Sequence, residues 1–389
     1  MRANPGGQLA PSEVIGRDAL IARLWQILDR QSLVLSAERR MGKTSIIKKM
    51  IAEAPGDKLP VYHDLEGLRT PLEFARAVFD DVDEHLSRMQ RTAARVREFA
   101  SHLGGAEIGG LFKLPDKIEA HHWKTLLTKT IEDLVEHQTR TVILFWDEMP
   151  MMLDNIKQDG GEKAAMEVLD TLRALRQMHA ALRMVFTGSI GLHNVITSLK
   201  RVGYANAPIN DMYIEDVPPL SPADAQDLAR RLLQGEGIRA KDLTATSQAI
   251  AEVVDGIAHY IHHVVDQMRT RGGEATPETA REIADECLTD PLDRWHMRHY
   301  RERMGTYYAD DELPFALNLL DVLAAAEKPL AFADLFNLLK SRQVTEDVET
   351  VRIVLTLLQR DHYVTQQKDG NYAFRFPLIR RWWRLHRGV

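Results

Sequence analysis

The sequence predicts an α/β protein: a core with a parallel β-sheet, followed by a helical region and a small C-terminal domain. An apolar strand over residues 33–35 runs within a few residues into Gly42-Lys43-Thr44 and the start of a helix. A second apolar strand, residues 141–146, ends in two acids, and from residue 221 onward helical spacing replaces strand patterns. Strands that alternate with helices form parallel sheets, whose ligands bind at the carboxyl ends of the strands. The site residues are therefore expected at that edge.

Composition and charge set the broad limits. The 389 residues are 44% hydrophobic and 27% charged, which is typical of globular chains and enough for two or three domains. The formal net charge of −6 gives no global argument for nucleic acid binding. The single cysteine, Cys287, excludes an internal disulfide framework and a cysteine-rich zinc site. The sequence shows no membrane-spanning apolar run and no signal-peptide core, so we expect a cytoplasmic protein without membrane contact.

Residues 1–12 are rich in Pro and Gly and are predicted to form an N-terminal arm, and residues 13–220 the core domain. The stretch Val14-Ile15-Gly16-Arg17 precedes a predicted helix that begins at Asp18, just before the first strand. This position would bring the stretch near the base end of a bound nucleotide. A helix-capping turn without a ligand is the alternative.

The segment between the first strand and its helix is predicted to be a phosphate-binding loop. Its candidate nucleotide-binding residues are Ala37, Glu38, Arg39, Arg40, Met41, Gly42, Lys43, Thr44 and Ser45. In the pattern G-x-x-x-x-G-K-[ST], backbone N–H groups surround the phosphate, the lysine reaches the β and γ phosphates, and the hydroxyl binds Mg²⁺. Ala37 replaces the first glycine, which is tolerable if its φ stays negative. A chance Gly-Lys-Thr turn is the alternative.

The next predicted strand, residues 59–65, ends near Asp64 and Glu66, which would either cap the following turn, the favoured interpretation, or order Mg²⁺. Residues 85–120 look like an insertion, with a possible hairpin over residues 104–114. Three arginines of this insertion share one helical face, as a solvated surface or as a binding strip. They are Arg88, Arg91 and Arg95.

The strand over residues 141–146 is apolar on both faces, as a central parallel strand requires. Asp147 at its end would lie beside Thr44 and hold Mg²⁺. Glu148 would lie toward the γ-phosphate, where a carboxylate orients the attacking water as general base. A helix cap is the alternative interpretation. The pairing with Gly42-Lys43-Thr44 favours nucleotide binding.

After a helix predicted over 162–179, residues 182–189 form a strand whose polar tip, Ser189, is a candidate sensor of the γ-phosphate or the water. A simple Gly-Ser turn explains it comparably well. The strand over residues 212–217 completes a set of five.

Residues 221–290 are predicted to form a helical lid, which begins at the N-cap Ser221 with Pro222 in the first turn. Three histidines lie on one of its helices: His259, His262 and His263. We interpret them as structural rather than metal-binding, because no acid or cysteine stands at ligand spacing.

A bridging segment over residues 291–312 leads to a predicted domain over residues 313–389 with three helices and a hairpin, the pattern of a winged helix-turn-helix. The would-be recognition helix opens with acids, which suits DNA poorly. The basic tail, which contains Trp382 and Trp383, would either contact nucleic acid or pack back on the body.

These residues together resemble the archaeal-type P-loop ATPases of the STAND/AAA+ group, which are related to the origin-recognition ATPases. The resemblance covers nearly the whole chain and depends on the following stretches. They are Val14 to Asp18, Glu38 to Ser45, Asp64 to Gly67, Trp146-Asp147-Glu148, Thr187-Gly188-Ser189, Asp255-Gly256 and Arg381 to Arg384.

The resemblance implies an ATP- and Mg²⁺-dependent ATPase switch of the ASCE/AAA+-like P-loop NTPase fold, in which nucleotide state moves the lid and the winged helix. Its output would be a protein partner or a homo-oligomer, in mobile-element defence or in regulation. Besides Ala37, the chain departs from the pattern of this group at two further places. Ala258 stands where the group frequently has a proline, and no Gly-Arg pair precedes Met212. Arg201 is the nearest candidate for an arginine acting in trans. The competing functions are a DNA-remodelling ATPase and a scaffold with little hydrolysis, and Glu148 argues against the scaffold.

Overall fold

The computed structural model describes residues 1–88, 98, 101, 106–108, 111–114, 118–136, 138–188, 192–201, 204, 206–345 and 347–389. These residues fall into two compact units. The sheet unit comprises Arg17–Ala37 and Lys43–Val217, and the helical unit comprises Met1–Gly16, Glu38–Gly42 and Pro218–Val389. The predicted boundaries at 220, 290 and 312 stay predictions.

The sheet unit contains a parallel sheet and the helices between its strands. Its strands are β1 (Leu33–Ser36), β2 (Lys58–Asp64), β3 (Ala106–Ile108), β4 (Leu111–Lys113), β5 (Thr141–Asp147), β6 (Leu182–Thr187) and β7 (Tyr213–Asp216). Its helices are α1 (Asp18–Leu28), α2 (Lys43–Ala52), α3 (Pro71–Arg88), α4 (Trp123–Glu136), α5 (Met149–Met178) and α6 (Leu192–Arg201).

Five of these strands form the parallel sheet, in the order β2-β5-β6-β1-β7. The predicted parallel five-stranded sheet is confirmed. Residues 142–147 of β5 are all buried, as expected for a central strand with apolar side chains on both faces. Trp146 packs edge-on against Phe74 with ring centroids 5.0 Å apart and stacks on Phe186. Because the strands are parallel, the carboxyl ends of β1, β5 and β6 lie at the same edge of the sheet.

Two elements of the sheet unit differ from, or extend, the sequence prediction. α5 consists of two helical segments that meet at a kink at Gly161, where φ is 80°. The segment after Gly161 is the helix predicted over 162–179, whereas the segment that starts at Met149, directly after the two acids, was not predicted. The glycine pair at 160–161 hid this start, although Met152 and Ile156 have helical spacing and are fully buried. In the insertion, β3 and β4 pair antiparallel, as the hairpin prediction implied.

The helical unit begins with four helices in the region predicted as the lid. They are α7 (Pro222–Gly235), α8 (Leu243–Val253), α9 (Ala258–Arg271) and α10 (Pro277–Thr289). As predicted, Ser221 caps α7, because its Oγ accepts the Asp224 N–H at 3.1 Å. The bridging segment, for which the sequence predicted no element, contains α11 (His299–Tyr307).

The remaining elements of the helical unit are α12 (Leu313–Ala325), α13 (Phe332–Ser341), α14 (Val348–Arg360), β8 (Val364–Gln366), β9 (Tyr372–Phe374) and α15 (Pro377–Arg387). β8 and β9 form an antiparallel pair. This is the three-helix and hairpin pattern that the sequence predicted, and the winged-helix assignment stays a prediction. Within the described residues, no helix is long and apolar enough to cross a membrane.

Candidate functional site

The carboxyl edge of the sheet brings Thr44 and Asp147 together. Thr44 lies in the first turn of α2, and Asp147 is the last residue of β5. The Thr44 Oγ1 donates a hydrogen bond of 2.7 Å to Asp147 Oδ2, although the two residues are 103 positions apart. Asp147 is only 3% exposed. A hydroxyl and a carboxylate at this spacing are hard oxygen donors, the ligands that Mg²⁺ prefers.

Thr187, the last residue of β6, is a third member of this cluster. Its hydroxyl donates to the other carboxylate oxygen of Asp147, Oδ1. Both Asp147 oxygens therefore have a hydroxyl partner, which fixes the plane of the carboxylate. Sequence analysis did not identify Thr187 as a site residue, although its position in the polar tip of a parallel strand was a usable signal.

Glu148 follows Asp147 in a left-handed backbone conformation, with φ 55° and ψ 31°. Non-glycine residues seldom adopt this conformation, and such strain often accompanies a functional role. The Glu148 N–H donates to Asp147 Oδ1 at 3.2 Å. A Cβ built on Gly188 would lie 3.5 Å from Glu148 Oε2, so this carboxylate lies near the tip of β6. The predicted sensor Ser189 lies outside the described residues.

Residues 38–42 of the predicted phosphate-binding loop group with the helical unit, and Ala37 and Lys43 group with the sheet unit. The left-handed positions of the loop are Arg40, with φ 72°, and Gly42, with φ 88°; Ala37 has no positive φ. The conformation therefore allows the alanine that replaces the first glycine. Lys43, 7% exposed, donates from Nζ to the Ala37 carbonyl at 2.9 Å.

Acids near this edge also affect Tyr62 on the neighbouring strand β2. Burial, followed by the charges of Asp147, Asp64 and Glu148, raises the pKa of the Tyr62 hydroxyl. Asp64 is exposed, and its carboxylate accepts the Glu66 N–H at 3.1 Å. This contact is the turn cap that the sequence analysis favoured for Asp64.

The predicted base-contact stretch begins in the helical unit. Val14 is buried, and Ile15 lines a cavity of about 390 Å³ together with Glu13, Arg231 and Gln234. Gly16 has φ 68°, and a Cβ there would lie 2.5 Å from a side-chain atom of α7. Arg17, the last residue of the stretch, belongs to the sheet unit and is 5% exposed. Its proposed contact with a base stays a prediction, like those of the preceding residues.

Of the three histidines of α9, His262 is buried, and His259 and His263 are half-buried. Burial lowers the pKa of His259 to about 2 and the pKa values of His262 and His263 to about 4. Among the described residues, the one group with ligand atoms close enough to share a metal ion lies elsewhere, in an exposed turn before α4: Glu119, His121 and His122.

The arginines that were considered for trans or nucleic acid contacts are only partly described. Arg201 is the last residue of α6, and Arg88 the last of α3, but their side chains lie outside the described part of the structure. Arg91 and Arg95 lie wholly outside it.

The sheet order, the loop and the Thr44–Asp147 contact are those of a P-loop NTPase α/β core, and comparison with known proteins agrees with this fold. Residues 27–196 match the sequence family described as AAA domain. No match was found among curated proteins.

Solved structures of similar fold include the Walker-type ATPase of Pyrococcus abyssi, at 15% identity and TM-score 0.66, covering 99% of this chain and 100% of that one. The ORC2 protein of Aeropyrum pernix, solved in ADPNP–ADP complexes, matches at 10% identity and TM-score 0.54, covering 96% and 95%. The predicted α/β core of a P-loop NTPase is thus confirmed.

Proposed function

We propose that this protein binds ATP with Mg²⁺ and hydrolyses it slowly to ADP and phosphate. The observation that carries the proposal is the 2.7 Å contact between Thr44 Oγ1 and Asp147 Oδ2. Two distant residues of the predicted types meet at the edge where parallel sheets bind ligands. Bound at these oxygens, Mg²⁺ would neutralise charge on the β and γ phosphates. The donor set fits this ion.

The proposed chemistry assigns a separate role to each side chain. The Lys43 ammonium exchanges its hydrogen bond with the Ala37 carbonyl for phosphate oxygens, and backbone N–H groups of the loop hold the same phosphates. Glu148 accepts a proton from a water molecule as its oxygen attacks the γ-phosphorus. The bond from that phosphorus to the β–γ bridging oxygen breaks, and ADP leaves. Thr187 keeps the Asp147 carboxylate oriented.

We further propose a STAND/AAA+ switch whose nucleotide state governs a protein partner or self-assembly. The support comes from the tail of the C-terminal region, where several arginines already have partners within the chain. Arg380 donates to the carbonyls of Ala324 and Ala326, and Arg381 pairs with Asp285. A tail with internal partners has less charge available for a phosphate backbone.

Two further features of this region support the same choice. Arg387 forms two hydrogen bonds with the carboxylate of Asp321. Asp347 caps α14, the helix that a winged-helix domain would use for recognition, and accepts the N–H groups of Glu349 and Thr350. Acids at this end of a helix oppose contact with DNA.

ATP turnover tests the proposal. We expect wild-type protein to release phosphate and Glu148→Gln to bind ATP but lose at least about 100-fold in kcat, since a positioned general base contributes about 10²–10⁴-fold. Glu167→Gln, an equal change in an exposed ion pair of α5, is the matched control and should keep wild-type turnover. Absence of ATP binding by wild-type protein would refute the proposal.

Two further measurements on the same protein samples distinguish the proposed switch from the alternative, a DNA-remodelling ATPase. Light scattering with and without ATP should show an ATP-dependent change in mass, either alone or with a partner protein. Duplex DNA should leave the turnover rate unchanged. Stimulation by DNA, with binding that falls steeply between low and physiological salt, would instead favour the remodelling ATPase.

A further inference from the structure

Glu38 is an acidic residue within the predicted phosphate-binding loop. Such loops hold phosphate through backbone N–H groups, so their variable positions need no particular side chain. An acid there brings a negative charge close to the anionic ligand. In this chain the Glu38 carboxylate is fully buried, with a side-chain exposure of 0%. Phosphate binding does not explain this residue, and its partners do.

The partner of Glu38 is Arg303 in α11, 265 positions further along the chain. Arg303 Nη1 donates to Glu38 Oε1 at 2.6 Å and Nη2 donates to Oε2 at 2.8 Å. This fork-to-fork geometry is the strongest arrangement available to an ion pair. Burial alone would raise the pKa of Glu38, but Arg303, followed by His299, lowers it below its usual value. Glu38 is therefore ionised, and its charge is neutralised by Arg303.

Arg303 is itself fixed from three sides, all within the helical unit. Its Nε donates to the Tyr363 hydroxyl at 2.6 Å, and its Nη2 also donates to the Asp361 carbonyl at 2.9 Å. The guanidinium lies 4.3 Å from the centre of the Tyr363 ring. The Arg303 side chain is 15% exposed. Because its partners hold it rigidly, Arg303 sets the position of the Glu38 carboxylate.

The carboxylate in turn constrains the backbone of the loop. Glu38 Oε1 accepts the N–H of Arg39 at 2.8 Å, and Arg40 follows in a left-handed conformation with φ 72°. Gly42, Lys43 and Thr44 continue the same loop. A buried pair of charges is weak evidence for stability, because desolvation offsets most of the attraction, but it defines geometry sharply.

We infer that Arg303 is a positioning residue of the phosphate-binding loop, which holds Glu38 in a neutral buried pair and keeps the loop in the form that accepts phosphate. The inference rests on the proposed nucleotide binding. It makes α11, which belongs to neither the loop nor the sheet, a determinant of nucleotide affinity. Without Arg303, the Glu38 carboxylate would lose its main cationic partner, repel the phosphates and leave the loop less ordered.

Nucleotide affinities measured by titration calorimetry test the inference. Arg303→Gln should weaken ATP binding by about 10- to 100-fold, the usual cost of a misplaced binding group. The loss should be larger for ATP than for ADP and smallest for AMP, because repulsion by Glu38 grows with phosphate charge. Arg303→Lys should lie between Arg303→Gln and wild type. Arg301→Gln, on the same helix and outside this network, is the matched control and should bind like wild type.

A double variant distinguishes a role of Arg303 in positioning the loop from a role in stability alone. Glu38→Gln combined with Arg303→Gln removes both charges, so it should bind ATP more tightly than Arg303→Gln alone, though less tightly than wild type. It also avoids an unpaired buried charge and should fold if Arg303→Gln does not. Equal losses for ATP, ADP and AMP, or wild-type affinity in folded Arg303→Gln, would overturn the inference.

Hydrogen exchange supplies a readout that needs no nucleotide. In protein without ligand, the amides of residues 38–42 should exchange faster in Arg303→Gln than in wild type and should be unchanged in Arg301→Gln. Failure of the wild type to bind any nucleotide, with this difference intact, would refute the proposed function and leave the positioning role standing. Unchanged exchange in Arg303→Gln would refute the positioning role itself.

Discussion

Replacing Asp321 by alanine should destabilise the helical unit by about 2–4 kcal/mol. Asp321, in α12, is 7% exposed and accepts three hydrogen bonds from α15. One comes from Trp383 Nε1 at 2.8 Å, and two come from Arg387 at 3.0 and 2.7 Å. A buried indole N–H left without an acceptor costs about 1–3 kcal/mol. The Arg387 side chain is 33% exposed, so loss of its ion pair adds only about 1 kcal/mol.

Urea denaturation of wild type, Asp321→Ala and Asp321→Asn measures the separate contributions of the Trp383 hydrogen bond and the Arg387 ion pair to the free energy of unfolding. The asparagine carbonyl can still accept from Trp383, so Asp321→Asn should lose only about 1 kcal/mol. Asp285→Asn is the control, since the carboxylate of Asp285 is 68% exposed and pairs with Arg381; we expect a loss of no more than about 0.5 kcal/mol. Equal losses for Asn and Ala, or a loss below about 1 kcal/mol for Ala, would refute the reasoning.

Three further predictions concern other parts of the chain. Burial raises the pKa of Asp255 to about 6, so its ionised form costs stability above pH 6 and the cost disappears toward pH 4. Thermal unfolding should therefore show Asp255→Asn to be more stable than wild type at pH 8, by no more than about 3 kcal/mol, and equal to it at pH 4. Thr187→Val should lower kcat about 3- to 10-fold, because one hydrogen bond that orients Asp147 is lost, and should lower the unfolding temperature slightly, because both residues are buried; an unchanged kcat would contradict this role. Gly16→Ala should destabilise more than Gly272→Ala in urea denaturation, since both have positive φ but only the Gly16 Cβ would meet atoms within 4 Å.

The sheet and the centre of the site could be predicted because their signals are local. Gly42-Lys43-Thr44 follows an apolar strand, and Asp147 ends another. Parallel strands bring their carboxyl ends to one edge, so the contact between Thr44 and Asp147 follows from topology alone.

Local sequence signals did not predict the start of α5 or the presence of α11. Gly160 and Gly161 resemble a helix boundary, and α5 does kink at Gly161, yet another helical segment already precedes them from Met149 onward. The sequence of α11, from His299 to Tyr307, is polar with little helical patterning. Its buried residues, Tyr300 and Met304, owe their burial to tertiary packing rather than to an amphipathic pattern.

The Glu38–Arg303 contact shows the limit of a sequence motif. The motif predicts which ligand the loop binds, but it does not predict the tertiary contacts that hold the loop in place. The fixed positions of the motif, such as Lys43 and Thr44, touch the ligand in every loop of this kind, so their residue types are diagnostic. The variable positions are free of that requirement, and each chain can use them for its own tertiary contacts. In this chain one of them carries an acid that would oppose phosphate binding if it were unpaired. The main charge that offsets this acid is an arginine 265 positions away, and no local pattern marks that arginine.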